Sequence, residues 1–238
     1  MGSVGGNVAV LPKDTSYNSE RSQDFYNETG IRLDDRVADA IEGDILQSVL
    51  KHVGDMSGEY KDLMQNLGSI TLGGRVNSLA STNGERLTLN NAFFGDKNTL
   101  RLVYEESVRQ GFHPAGTSWE HIVDHEMGHI ATKGIMMMVH NGDRQAVQRD
   151  WASNSNTSTA GQIVTTAIKQ IQDNYRDYGF TKRPTVGELK RDISGYATKN
   201  HHETIAEAWA DRAANKDNAK PLSREIYRIM MSYGRQRG

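Results

Sequence analysis

Two histidines four residues apart, with an acid beside the first, constrain this chain more than any other feature: His125-Glu126-Met127-Gly128-His129. On a helix, residues four apart lie on one face, so His125 and His129 point the same way and can share one metal ion. Glu126 then sits beside the first imidazole, where its carboxylate can reach a water at the metal and take its proton. The flanking residues agree with a helix, because Trp119, Ile122, Val123, Met127 and Ile130 recur at helical spacing. Thr117-Ser118-Trp119-Glu120 has the form of a capping box with Thr117 as N-cap. Lys133-Gly134 reads as the helix end. Gly128 costs about 1 kcal/mol of helix propensity relative to Ala, and a small residue there suits a helix that something must approach closely.

A catalytic zinc site uses three protein ligands and keeps one position open. The chain has no Cys, so the third ligand is His, Asp or Glu. The extension H-E-x-x-H-x-x-G-x-x-H is excluded, because its Gly position holds Thr132 and its last His position holds Ile135. The remaining common option is a Glu from a later helix. The segment 196–211 offers two, Glu203 and Glu207, four apart on one face of a helix that Asn200 can cap. Ile205, Ala206, Ala208 and Trp209 supply its apolar side. Acids beside an apolar face are costly to bury unless paired or bound to a metal; a solvated acidic stripe is the alternative. His113 and His121 are spare histidines, read as surface residues or as neighbours of the ligands.

Taken together, H-E-x-x-H and Y-x-x-x-N-x-x-E-x-x-A-E-A-W resemble the zincin (gluzincin-like) metallopeptidase domains. Within them the match is to the catalytic domain of anthrax lethal factor and to zincin domains of bacteriophage head-morphogenesis (minor capsid) proteins. The resemblance covers residues 117–134 and 193–212. It implies that Glu203 joins His125 and His129 as a ligand of Zn²⁺. It also implies that Tyr196 donates a hydrogen bond to the developing oxyanion, and that Glu207 orients a ligand imidazole. The implied activity is a zinc-dependent endopeptidase with Glu126 and Tyr196 as catalytic residues and a protein or peptide as substrate, either phage-associated or an effector. The alternative is a non-catalytic structural zinc module of a phage capsid or morphogenesis protein. Thr204 and Ile205 depart from the family, which often has aromatic residues there.

The remaining pattern predicts one α+β domain over residues 31–238, helix-rich, with a small sheet before the metal helix. Residues 1–30 read as an irregular, flexible leader. Val37, Ile41, Ile45, Val49 and Val53 form one helical stripe, and a second helix covers 59–67. Strands are expected at 69–72, 76–80 and 86–90, with Asn83-Gly84 as a hairpin turn. Zinc peptidases generally bind substrate as an added strand, and 87–90 is the candidate edge; a strand that only packs its Leu face is the equal alternative. A helix over 99–110 is expected to turn Leu102, Val103 and Val108 inward. Further helices are expected at 143–151, through Ile163 to Ile171, after a Thr185/Glu188 capping box, and at 222–233. A formal charge of −2 argues against nucleic acid as the partner. No apolar run approaches the roughly 20 residues a membrane helix needs, and no secretory signal pattern is seen, so a cytoplasmic or virion-associated chain is expected.

Overall fold

The computed structural model describes residues 16–41, 43–73 and 78–235. The chain begins with α1 (Ser16–Thr29), β1 (Arg32–Leu33), α2 (Asp35–Ala40), α3 (Gly43–Glu59) and α4 (Lys61–Met64). The sheet strands β2 (Ser69–Leu72), β3 (Ala80–Thr82) and β4 (Arg86–Leu89) follow, then α5 (Asn91–Phe94) and α6 (Lys97–Arg109). The rest is helical: α7 (His121–Val139), α8 (Arg144–Trp151), α9 (Thr159–Asp173), α10 (Val186–Ile193), α11 (His201–Asn215) and α12 (Pro221–Arg235). The architecture is α+β, helix-rich with one four-stranded mixed sheet. Among the described residues no helix is long and apolar enough to cross a membrane.

The helix carrying the two histidines, α7, is the centre of the molecule. Its apolar residues Ile122, Val123, Met127, Ile130, Ala131, Ile135 and Met136 are buried on all sides, as expected of a helix enclosed by others. It packs against α3, α4, α8, α9, α11, α12 and β3. Burying each Ile or Met in this way contributes about 1.5–3 kcal/mol. The most extensive packing is with α11. A Cβ on Gly128 would lie 2.9 Å from both Ala206 Cα and Trp209 Cβ, so glycine is what lets the two helices meet.

Both expected ends of α7 are corrected. Lys133-Gly134 does not terminate it, and the helix continues to Val139. A Cβ on Gly134 would lie 2.1 Å from the Leu63 carbonyl oxygen, so this glycine serves the packing of α4. At the other end no capping box forms. The Thr117 hydroxyl donates to the Pro114 carbonyl at 2.6 Å, and the Ser118 N–H donates to His121 Nδ1 at 2.9 Å.

The sheet order is β1-β2-β4-β3, with β1, β2 and β4 parallel and β3 antiparallel to β4. The Asn83-Gly84 turn joins β3 to β4, with Gly84 at φ +84°. The expected edge strand at 87–90 is corrected by this order. β4 lies between β2 and β3, so among the described residues β3, and not β4, is the edge on this side of the sheet, and it packs on α7. Val76 and Asn77, expected to begin that strand, lie outside the described residues.

Three further expectations change. Ser16–Thr29 is helix within the supposed leader, and Phe25 joins the core; residues 1–15 lie outside the described residues. The stripe from Val37 to Val53 is buried as expected but belongs to two helices, because Ile41 is extended at ψ 138°. In α6 the buried pair is Leu100 and Tyr104, whereas Leu102 is 56 % and Val103 38 % exposed. The Tyr104 phenol donates to Thr117 Oγ1 at 3.0 Å, which fixes that face inward. The Thr185/Glu188 capping box of α10 forms as expected.

Candidate metal centre

α7 and α11 bring three ligand atoms together. His125 Nε2 and His129 Nε2 each lie 3.3 Å from Glu203 Oε2. All three groups offer one atom within 4.8 Å of the others, a spacing that could hold a metal ion. Local sequence sets this up. His125 and His129 share a face of α7, and Asn200 caps α11 by accepting the Glu203 N–H at 2.9 Å, which fixes the first turn from which Glu203 projects.

The donor set fits a cation. Glu203 Oε2 is buried without a hydrogen-bond partner among the described residues. Burial alone would raise the Glu203 pKa, but contacts with His125 and His129 outweigh it and hold the carboxyl well below the usual range. Burial likewise opposes charge on His125, yet Glu203 and Glu207 raise its pKa well above the imidazole value. In the absence of metal the raised pKa favours a proton on His125, and a divalent ion can take its place.

Glu207 is the hub behind the ligands. It is fully buried, with Oε1 2.7 Å from His125 Nδ1 and 3.0 Å from His113 Nδ1. Its Oε2 accepts the Ser194 hydroxyl at 2.8 Å. A carboxylate at His125 Nδ1 keeps the proton there and leaves Nε2 free for a cation. Burial would raise the Glu207 pKa, but His113 and His125 bring it down to about 2. Among the described residues His129 Nδ1 has no such partner; its ring lies 6.4 Å from that of Trp151.

Glu126 and Tyr196 line the same opening. Both line two cavities that meet at the ligands. One, of about 450 Å³, is walled by Leu79, Phe93, Val103, Phe112 and Ile122. The other, of about 570 Å³, runs past Ser81, Thr82, Arg86, Trp151 and His202. Burial raises the Glu126 pKa above the ordinary carboxylate value. The Tyr196 phenol is pushed up to about 12, by burial first and then by the charges of Glu203, Glu126 and Glu207.

The second cavity is bordered by β3, the last strand on that side of the sheet among the described residues. The Asn90 N–H donates to the Leu79 carbonyl at 3.0 Å, so Leu79 and, two residues on, Ser81 exchange hydrogen bonds with β4 in the register of the ladder. Ala80 and Thr82 therefore turn their main-chain N–H and C=O away from β4.

The structure thus brings His125, His129, Glu203, Glu126 and Tyr196 into one cleft. The sequence reading left His113 without a partner. Its contact with Glu207 had no local signal, because the two residues are remote in sequence. His121 lies away from the ligands' cleft, its Nε2 3.9 Å from the buried Asp124. The chain matches no family model, no curated protein and no solved structure.

Proposed function

We propose that this protein is a zinc-dependent endopeptidase. The observation that carries the reading is the position of Glu126: an acid with a raised pKa, adjacent to a ligand but outside the ligand set, lining the same cleft as a protonated phenol. A site that only fastened helices together has no use for such a base. The mixed imidazole and carboxylate set suits zinc, and the motif resemblance supports the same metal and a protein substrate.

His125, His129 and Glu203 would hold the ion, which when bound supplies Lewis acidity and lowers the pKa of a coordinated water toward ~7. Glu126 takes the proton of the attacking water and passes it to the leaving amine. Tyr196 stays protonated at neutral pH and donates to the oxyanion of the tetrahedral intermediate. Glu207 holds His125 in one tautomer throughout. The substrate binds as a strand on the outward-facing groups of Ala80 and Thr82, a mode that uses main-chain hydrogen bonds and so favours unfolded or extended segments.

The test is zinc content and peptide cleavage for wild type and Glu126→Gln. The variant is expected to keep one zinc per chain and to lose cleavage by about 10³-fold or more, a general-base loss. Full cleavage by Glu126→Gln would refute the mechanism. Zinc in both proteins with cleavage in neither would make the metal a structural staple.

A further inference from the structure

We propose that Lys133 is a positioning residue for substrate: it clasps the β3–β4 hairpin to the metal helix and sets where the substrate-binding edge lies relative to Glu126. The proposal rests on the peptidase reading above. Lys133 follows His129 by one helical turn on α7 and is only 8 % exposed. Its ammonium donates to the Asn83 carbonyl at 2.7 Å, lies 3.5 Å from Glu85 Oε1, and sits 5.5 Å from the centre of the Trp151 ring. Its stem runs directly beneath the turn. A Cβ on Gly84 would lie 2.1 Å from Lys133 Cδ and 2.8 Å from its Cβ.

A buried ammonium carries a desolvation cost that an apolar residue of the same length would avoid. What the charge adds is a fixed tie. The hairpin does not need that tie to form. Asn83 Oδ1 accepts the N–H groups of Glu85 and Arg86 at 3.0 and 2.9 Å, and Thr82 Oγ1 accepts the Gly84 N–H at 2.9 Å. The same Thr82 hydroxyl donates to the Arg86 carbonyl at 2.7 Å. These bonds, with the β3–β4 ladder, build the turn from its own residues. Lys133 contributes the link from that turn to α7. The held carbonyl is that of Asn83, the residue after Thr82, whose outward main chain belongs to the edge. Trp151 packs over the ammonium and toward His129 from the other side, so the clasp and one ligand share a wall. Releasing it leaves metal and base in place and moves the strand on which a long substrate lies.

The experiment compares wild type with Lys133→Met, which keeps the stem and removes the ammonium, and with Gly84→Ala, which pushes the turn off the stem. The substrate is the best-cleaved member of a quenched-fluorescent peptide library, used at ten residues and trimmed to four around the cleaved bond. For both variants KM for the long peptide is expected to rise about tenfold with kcat within about twofold, while both constants for the short peptide hold. Zinc content stays at the wild-type value, and amide hydrogen exchange over 80–86 speeds up. Glu85→Gln, which weakens the same tie at its exposed end, gives a smaller change in the same direction if Lys133→Met folds poorly. Equal losses on long and short peptides would make Lys133 a purely structural residue and overturn the proposal, as would no change on either. A wild type that binds zinc and cleaves no library member removes the peptidase reading and this inference with it. A wild type that cleaves, with variants indistinguishable from it, removes this inference alone.

Discussion

Tyr196 is a phenol set among carboxylates, and its proton is what the proposed chemistry uses. With a pKa of about 12, raised by burial and then by Glu203, Glu126 and Glu207, it remains a donor across the neutral range. The Lys199 ammonium lies 3.7 Å from the centre of its ring, and the Tyr196 N–H donates to the Phe112 carbonyl at 3.1 Å, so ring and backbone are both held. Tyr196→Phe keeps the ring and removes only the donor. It is expected to lower kcat by about 10²–10³-fold, the usual loss for one oxyanion donor, with zinc content and melting temperature retained. Steady-state kinetics alongside metal analysis reads this, and unchanged turnover would take Tyr196 out of the reaction. The residues of the centre were legible in sequence to the extent that their geometry is local. His125, Glu126 and His129 are one turn of helix, and Asn200 with Glu203 is one helix start. His113 and Lys133 were not legible in these roles, because their partners Glu207 and Asn83 come from other elements.

At the scale of elements, the centre depends on how closely α11 lies on α7. Gly128 has no side chain at the point where Ala206 and Trp209 press in, and Glu203 is carried by the helix that would be displaced. Gly128→Ala gains about 1 kcal/mol in helix propensity but forces backbone and ring apart, an overpacking cost of about 1–3 kcal/mol. The net expectation is a small loss of stability together with a larger loss of metal affinity, since Glu203 moves away from both imidazoles. Thermal unfolding without metal and zinc titration separate the two, and unchanged zinc affinity would show that α11 adjusts without moving its acid. The same glycine was legible as a point of close approach, whereas Gly134 was misread as a helix end. In sequence a packing glycine and a terminating glycine look alike, and only the Leu63 carbonyl against it tells them apart. The edge strand was misread for a related reason. A hairpin leaves either of its strands outermost until a third is added, and the parallel pairing of β2 with β4 decided it. In α6 two apolar stripes were available, and the hydrogen bond from Tyr104 to Thr117 selected the one that carries Leu100.

At the scale of the whole molecule, the cluster couples folding to metal and to protons. Three acids, Glu126, Glu203 and Glu207, surround two imidazoles in a buried space at the crossing of α7 and α11, and such a set needs positive charge. Without metal, His125 supplies it. Burial works against its charge, but Glu203 and Glu207 prevail, so its pKa in the folded chain lies well above the ordinary imidazole value. A folded-state pKa raised in this way adds stability that is fully present below the unfolded value of ~6.5. That stability is lost as pH climbs through the raised value. Zinc runs the other way, because His125 must give up its proton to bind, so apparent affinity falls as pH falls. The metal-free protein is therefore expected to melt lower as pH rises from 6 to 8. The zinc-loaded protein, at fixed total zinc, should gain relative to it over the same range. At a hundredfold excess over Kd the ion adds about 2.7 kcal/mol, which for a chain of this size moves Tm by roughly 2–4 °C per kcal/mol. Melting curves with chelator and with zinc at pH 6, 7 and 8 measure the gap directly. A gap that widens with pH means that cation and proton exchange at one site. A gap that stays constant or narrows would place zinc elsewhere on the chain and leave His125, His129 and Glu203 as a cluster without a metal.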